Sequence, residues 1–269
     1  MVLKTIKKLF ITILLILLSF PCYATDYSDD AAVKGAWLMT VDSDDETDIS
    51  ANGETLTETS GTIPTSVDVP TGYSGTSRDM ELTDSEYFSH VDGGSTDISG
   101  SNQAISMCIW VKPESLAAGA FVMSKYNSAS QRSFLLRLAD DGGGYRAKFD
   151  MDANGTGVDA TGLSAEGVFT AGTWTHVCAV YNDTDIRMYI NGALSGTEVA
   201  YTSGLHNSTA PFRIGTSGND ASFFDGLVTE AIIFNDALTP TEVEEIYDCG
   251  IQGTYCASEE RVIIGKIIN

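Results

Sequence analysis

Histidine is scarce, with three in 269 residues, and no two of the five cysteines form a CxxC pair. The donor sets of a structural zinc site are therefore missing. Basic residues are also few: 15 lysines and arginines face 37 aspartates and glutamates, for a formal net charge of −22. A surface this acidic repels phosphates, which sets aside nucleic acid and anionic membrane as partners. Ser/His/Asp and Cys/His nucleophile signatures are absent. Helical periodicity is nearly absent too, and there is no internal repeat, long linker or second domain. A chain of this length fits one all-β sandwich.

The N-terminus reads as an export signal. Lys4, Lys7 and Lys8 precede an apolar run from Leu9 to Phe20, followed by Pro21-Cys22-Tyr23-Ala24. The run is shorter than the roughly 20 residues a spanning helix needs, so residues 1–24 are expected to be a cleaved signal peptide, with no membrane span afterwards. Phe20 and Pro21 are not the small residues that lipoprotein processing at Cys22 requires. Removal would leave 12 basic and 37 acidic residues, a net charge of −25, in a secreted, extracellular or periplasmic protein. It would also leave an even set of cysteines, Cys108, Cys178, Cys249 and Cys256, as expected of a disulfide framework. Four cysteines admit three pairings. Cys249 and Cys256 lie close together with Gly250 and Gly253 between them, which suits a small local loop.

Short apolar or alternating runs recur between Gly, Asn, Asp and Ser clusters, the pattern of an antiparallel sandwich. The clearest strands are 104–111, 134–139, 145–151, 176–181, 186–190, 212–214 and 227–234. Asn191-Gly192 after Ile190 suits a tight hairpin turn with positive φ angles. One helix is expected near the end: Thr239 caps it, Pro240 takes its first position and Glu242 completes a capping box. The Asp-, Thr- and Ser-rich stretch 40–66 reads as loops. There Asp42, Asp44, Asp45 and Asp48 have the composition of a calcium loop, but Thr47 stands where the EF-hand glycine belongs. Residues 257–269 read as a tail, to which Val262-Ile263-Ile264 could add an edge strand.

Three segments together resemble the laminin-G-like and pentraxin-like (concanavalin A-like lectin/glucanase) jelly-roll families. They are Ile105-Ser106-Met107-Cys108-Ile109-Trp110-Val111-Lys112-Pro113; Thr173-Trp174-Thr175-His176-Val177-Cys178-Ala179-Val180-Tyr181 running on to Met188-Tyr189-Ile190-Asn191-Gly192; and Phe224-Asp225-Gly226-Leu227-Val228-Thr229-Glu230 with Phe234-Asn235-Asp236-Ala237-Leu238 and the capped helix. Met80 to Phe88 is similar to a further strand of the family, and Thr47 to Gly53 to one of its loops. The resemblance runs from about Val33 to Cys256. It implies two antiparallel sheets in a jelly roll with one short C-terminal helix, spanning residues 25–256. It also implies a disulfide between Cys108 and Cys178, the positions where pentraxins carry theirs.

The resemblance carries few site residues over. The family's first acid–amide pair of calcium ligands falls near Gln131-Arg132, where arginine repels a cation. Its second cluster falls on Asn219 and Asp220, followed by Asp225, and its acidic pair becomes Thr229-Glu230. Calcium prefers six to eight oxygens, so a site from Asn219, Asp220 and Asp225 would need backbone carbonyls and water. No catalytic residue is assigned. The alternating acids of glycoside hydrolases are not seen on the candidate strand around Glu230. His176, Tyr181 and Arg187 imitate a lyase constellation, but the family commonly has histidine there without catalysis. Trp37, Trp110 and Trp174 match family core positions and are expected inside. Tyr73, Tyr87, Tyr126, Tyr145 and Tyr201 lie in or beside loops and are the expected sugar-stacking residues.

These readings converge on a secreted, non-catalytic binding module for carbohydrate or surface glycoconjugate, with calcium as the one candidate cofactor. The ligand class rests on fold analogy. The rivals are an adhesive domain contacting another protein and a divergent glycan-degrading hydrolase or lyase.

Overall fold

The computed structural model describes residues 25–42, 44–116, 120–128, 130–220 and 222–252. The expected signal peptide, Cys256 and the tail lie outside the described residues. In chain order the strands are β1 (Val33–Trp37), β2 (Thr57–Thr59), β3 (Thr65–Ser66), β4 (Ser77–Met80), β5 (Tyr87–His90), β6 (Ile105–Pro113), β7 (Phe121–Asn127) and β8 (Gln131–Asp140). They continue as β9 (Tyr145–Met151), β10 (Ala160–Leu163), β11 (Thr175–Tyr181), β12 (Asp185–Ile190), β13 (Ala193–Leu194), β14 (Val199–Ala200), β15 (Phe212–Ile214) and β16 (Gly226–Phe234), before one helix, α1 (Pro240–Cys249).

The strands form two antiparallel sheets. One has nine strands, ordered β13-β12-β11-β6-β16-β4-β3, with β1 also on β16 and β14 on β12; the other has seven, ordered β10-β9-β8-β7-β15-β5-β2. Alternation decides which side each residue serves. Along β6, Ile105, Met107, Ile109 and Val111 enter the core between the sheets, while Cys108 belongs to a second cluster on the opposite face, with Val243 and Ile246 of α1. Each fully buried large apolar side chain is worth about 1.5–3 kcal/mol. Trp37 stacks on Phe212 of the other sheet at 5.5 Å, and its indole N–H donates to the Glu54 carbonyl at 2.7 Å.

The expected turn and cap chemistry is in place. Asn191 and Gly192 have φ of 50° and 77°. The Thr239 side chain accepts from the Glu242 N–H while Glu242 reaches back to the Thr239 N–H. Cys108 and Cys178 are direct register partners on β6 and β11 and are joined by a disulfide, with Cα atoms 4.1 Å apart. The bridge ties neighbours within one sheet, under α1, and does not cross between the layers. Cys249, at the end of α1, is disulfide-bonded.

Two sequence readings need correction. Met80–Phe88 is not one strand: β4 lies in the nine-stranded sheet and β5 in the seven-stranded one, separated by a 3-10 turn at Leu82–Asp84. Trp37 is core, but Trp110 and Trp174 are only partly buried and lie outside it. In the 40–66 stretch the acids serve the fold. Asp48 is buried and accepts from the N–H groups of Ala36, Ser50 and Glu54 at 2.8–2.9 Å, while Asp45 accepts from Glu58 N–H.

Candidate functional site

The face of the nine-stranded sheet that turns away from the core gathers the chemistry. Trp110 on β6 stacks against Tyr247 of α1 at 5.4 Å between ring centroids, and its register partner His176 lies 5.2 Å from it. Tyr247 is held by the hairpin beneath it. A side chain at Gly192 would place its Cβ 2.9 Å from the tyrosine ring. Two residues beyond Trp110 on the same face, Lys112 forms an ion pair with Asp68, whose other oxygen accepts from the Trp174 indole N–H at 2.9 Å. The lysine first, and then the indole, hold the Asp68 carboxyl below the usual range. Trp174 is thereby a half-buried ring held in a fixed orientation. Tyr73 completes the group, its hydroxyl 3.2 Å from the Thr229 Oγ1, whose single O–H has the carbonyls of Leu38 and Thr76 as acceptors, both 3.0 Å away.

At the middle of this face β16 is irregular. Its pairing with β6 shifts register between Thr229 and Ile232, and its other neighbour changes from β4 at 226–228 to β1 at 231–234. Glu230 occupies the bulge with φ of +46°. It is 2% exposed, and no side-chain donor among the described residues reaches either carboxylate oxygen. Burial pushes its pKa up to about 8, opposed only by the Ile251 backbone N–H. The carboxyl is therefore mostly neutral at pH 7. It lines a cavity of about 30 Å³ with Tyr73, Trp110 and Tyr247.

The five expected tyrosines do not share a surface. Tyr73 alone reaches this face. Tyr87 is buried under Arg213, whose guanidinium carbon is 4.4 Å from the ring centroid, and Tyr126 lies beneath Arg132. Tyr145 donates to the Leu116 carbonyl at 2.6 Å, and Tyr201, 6% exposed, donates to the Gly204 carbonyl and packs on Tyr181 in the core. Trp110 and Trp174 lie outside the core instead. Both sit at the starts of apolar strands, the sequence signal for a core position.

The expected calcium ligands each have protein partners. Asp220 is ion-paired with Arg213, the Asn219 amide oxygen accepts from Ser128 N–H at 2.6 Å, and Asp225 accepts from Leu82 N–H and the Ser115 hydroxyl. The carboxylates that do converge are Asp79, Glu81 and Glu114, each offering an oxygen within 4.8 Å of the others, with Asp225 adding its charge. The alternation Asp79-Met80-Glu81 was the signal for them. Partial burial, then repulsion from neighbouring carboxylates (Asp225 and Asp68 for Asp79), raises all three pKa values. A carboxyl raised in the folded state costs stability above its folded pKa, and that cost vanishes as pH falls toward the unfolded value. Glu114→Gln is therefore expected to raise the melting temperature at pH 7 by roughly 1–3 °C, solvent screening keeping the gain small, and to flatten stability between pH 4 and 7. A fall in calorimetric Tm would show that the charge is needed.

His176 is 1% exposed, and burial alone lowers its pKa to about 3. Tyr181 points into the core from the opposite face of β11, and Arg187 pairs with Glu198, so the three residues do not converge. Among the described residues no helix is long and apolar enough to cross a membrane.

A family model described as the concanavalin A-like lectin/glucanases superfamily, of laminin-G type, matches residues 84–244. Among curated proteins, the adhesion G-protein coupled receptor V1 of Danio rerio is 20% identical over 145 residues, 53% of this chain and 2% of the receptor. Among solved structures, domain 4 of AbnA, a GH43 extracellular arabinanase from Geobacillus stearothermophilus, in complex with arabinotriose, is 19% identical with TM-score 0.59, covering 81% of this chain and all of that one. The binding domain of Paraclostridial Mosquitocidal Protein 1 is 16% identical with TM-score 0.60, covering 81% of this chain and 52% of that one.

Proposed function

Because the chain belongs to the concanavalin A-like lectin/glucanases superfamily, we propose that it is a non-catalytic, exported binding module whose ligand is a carbohydrate seated on the outer face of the nine-stranded sheet. The observation that carries this is the placement of Trp110 and Trp174 outside the core, with Trp174 fixed by Asp68 and Lys112. Flat rings stack on the apolar faces of sugars, and a ring already held in place loses little entropy on binding. Lys112, Asp68 and Tyr73 put hydrogen-bonding groups beside the rings. The arabinotriose complex of the arabinanase domain agrees with this ligand class.

A glycan array with calcium, repeated with chelator, tests the reading. Binding is expected in both conditions, and Trp174→Ala is expected to weaken it by about tenfold or more, a ring contact of roughly 1.5 kcal/mol. Silence in both conditions would end the carbohydrate reading in favour of protein contact. Signal lost only with chelator would move the site to Asp79, Glu81 and Glu114. Turnover of any bound glycan would make those same acids candidates for the enzymatic alternative.

A further inference from the structure

Glu230 stands apart from the other buried acids. Glu46 and Asp150 face arginines, Glu54 faces a histidine, and Asp48, Asp152 and Glu86 accept from backbone N–H groups. Glu230 meets no side-chain donor among the described residues, only the Ile251 backbone N–H, although it is as deeply buried as they are. A buried acid with so little to offset its burial is costly to keep, and it sits at the bulge where β16 exchanges β4 for β1, in a left-handed backbone conformation. Among the described residues, no basic side chain lines the cavity beside it. Its walls are the rings of Tyr73, Trp110 and Tyr247, with the exposed Asp248 at the rim.

Three features define what fits. The volume of about 30 Å³ suits one small polar head group. The aromatic walls favour a cation over an anion. Glu230 offers two oxygen acceptors in a low-dielectric setting, where a charge-assisted bond is strong. We propose that this cavity is a subsite for a single primary ammonium group, carried by an amino sugar of the glycan bound on the surrounding aromatic face. The sugar as carrier rests on the carbohydrate reading; the ammonium subsite rests on the cavity itself. When an ammonium ion enters, the neutral Glu230 carboxyl loses its proton to solvent and the pair in the cavity is carboxylate with ammonium. A neutral amine takes that proton directly.

Infrared difference spectroscopy on the whole protein near neutral pH reads the change. The protonated-carboxyl band of Glu230 is identified as the one missing in Glu230→Gln. Methylammonium and glucosamine are expected to remove that band from the wild type, and glucose to leave it. In calorimetry, a glucosamine oligomer is expected to bind about tenfold or more tightly than its N-acetylated counterpart, a preference Glu230→Gln abolishes. A band unmoved by either amine overturns the subsite. A preference for the acetylated oligomer that depends on Glu230 also overturns it, making Glu230 a neutral donor to a carbonyl. Amines that clear the band while no oligomer binds leave the ammonium subsite standing and remove its sugar carrier. Should the glutamine variant fold poorly, Glu230→Asp identifies the band by its shift instead, and the amine titration still reads the wild-type protein.

Discussion

Replacing Cys108 and Cys178 together by alanine is expected to lower the melting temperature by roughly 8–16 °C. The two residues are 70 apart in sequence. In the chain-entropy model, closing a loop of that length removes on the order of 4 kcal/mol of unfolded-state entropy, and each kcal/mol moves Tm by about 2–4 °C in a domain of this size. The bridge joins direct partners on β6 and β11, both fully buried beneath α1, so the neighbouring strands already hold the cysteines together. The same two strands carry Trp110, Lys112 and His176, so the bridge also anchors the strands that present the aromatic face. Calorimetry of the oxidised variant and wild type, with a thiol count on the unfolded wild type, is the check. Free thiols at 108 and 178, or an unchanged Tm, would remove the bridge from the account of stability.

The second large effect is expected at Arg78. Its side chain is fully buried on β4 and serves several partners at once. Its Nη1 donates to Glu46 at 2.6 Å and to the Asp44 carbonyl at 3.1 Å, its Nε donates to the Ile63 carbonyl at 2.9 Å, and its Nη2 pairs with Glu58. The guanidinium carbon also lies 4.7 Å from the Phe88 ring centroid. Burial pushes the Glu46 carboxyl up, and Arg78 pulls it back toward the ionised form. Arg78→Met would leave Glu46 buried without its counter-charge and several carbonyls without donors. Breaking such a pair costs about 3–5 kcal/mol. Denaturant titration is expected to show that loss, with part of it recovered in Arg78→Met/Glu46→Gln, where the stranded charge is gone. A loss below about 1 kcal/mol would mean that water reaches the pair and that the network is an ordinary surface one.

Much of the fold was legible in the residues. The alternation in β6 and β9, the Asn191-Gly192 turn and the Thr239-Pro240-Glu242 cap are local signals, decided by backbone geometry within a few residues. Strands 145–151 and 212–214 were read with their observed bounds. The site was less legible. Trp110 and Trp174 fall at the starts of apolar strands and match family core positions, which points them to the core. The apolar run of β11 instead reflects cover on both of its faces, by the other sheet and by α1. The tyrosines were chosen for their place near loops, yet Tyr201 turned inward and Tyr87 went under Arg213. Asp79 and Glu81 come from one segment and Glu114 from another, and only the meeting of β4, β6 and β16 brings them together.

The sequence by itself determined the all-β class, the two cysteine-bearing strands, the hairpin turn and the capped helix, because each depends on periodicity or on residues in direct succession. Tertiary structure alone decided which strand faces α1 covers, which tryptophans stay at the surface, and that Glu230 sits at the point where β16 changes neighbours. Period-two alternation says that successive side chains take opposite sides of a sheet. It does not say what lies against each side, and that is set by contacts between residues more than a hundred positions apart.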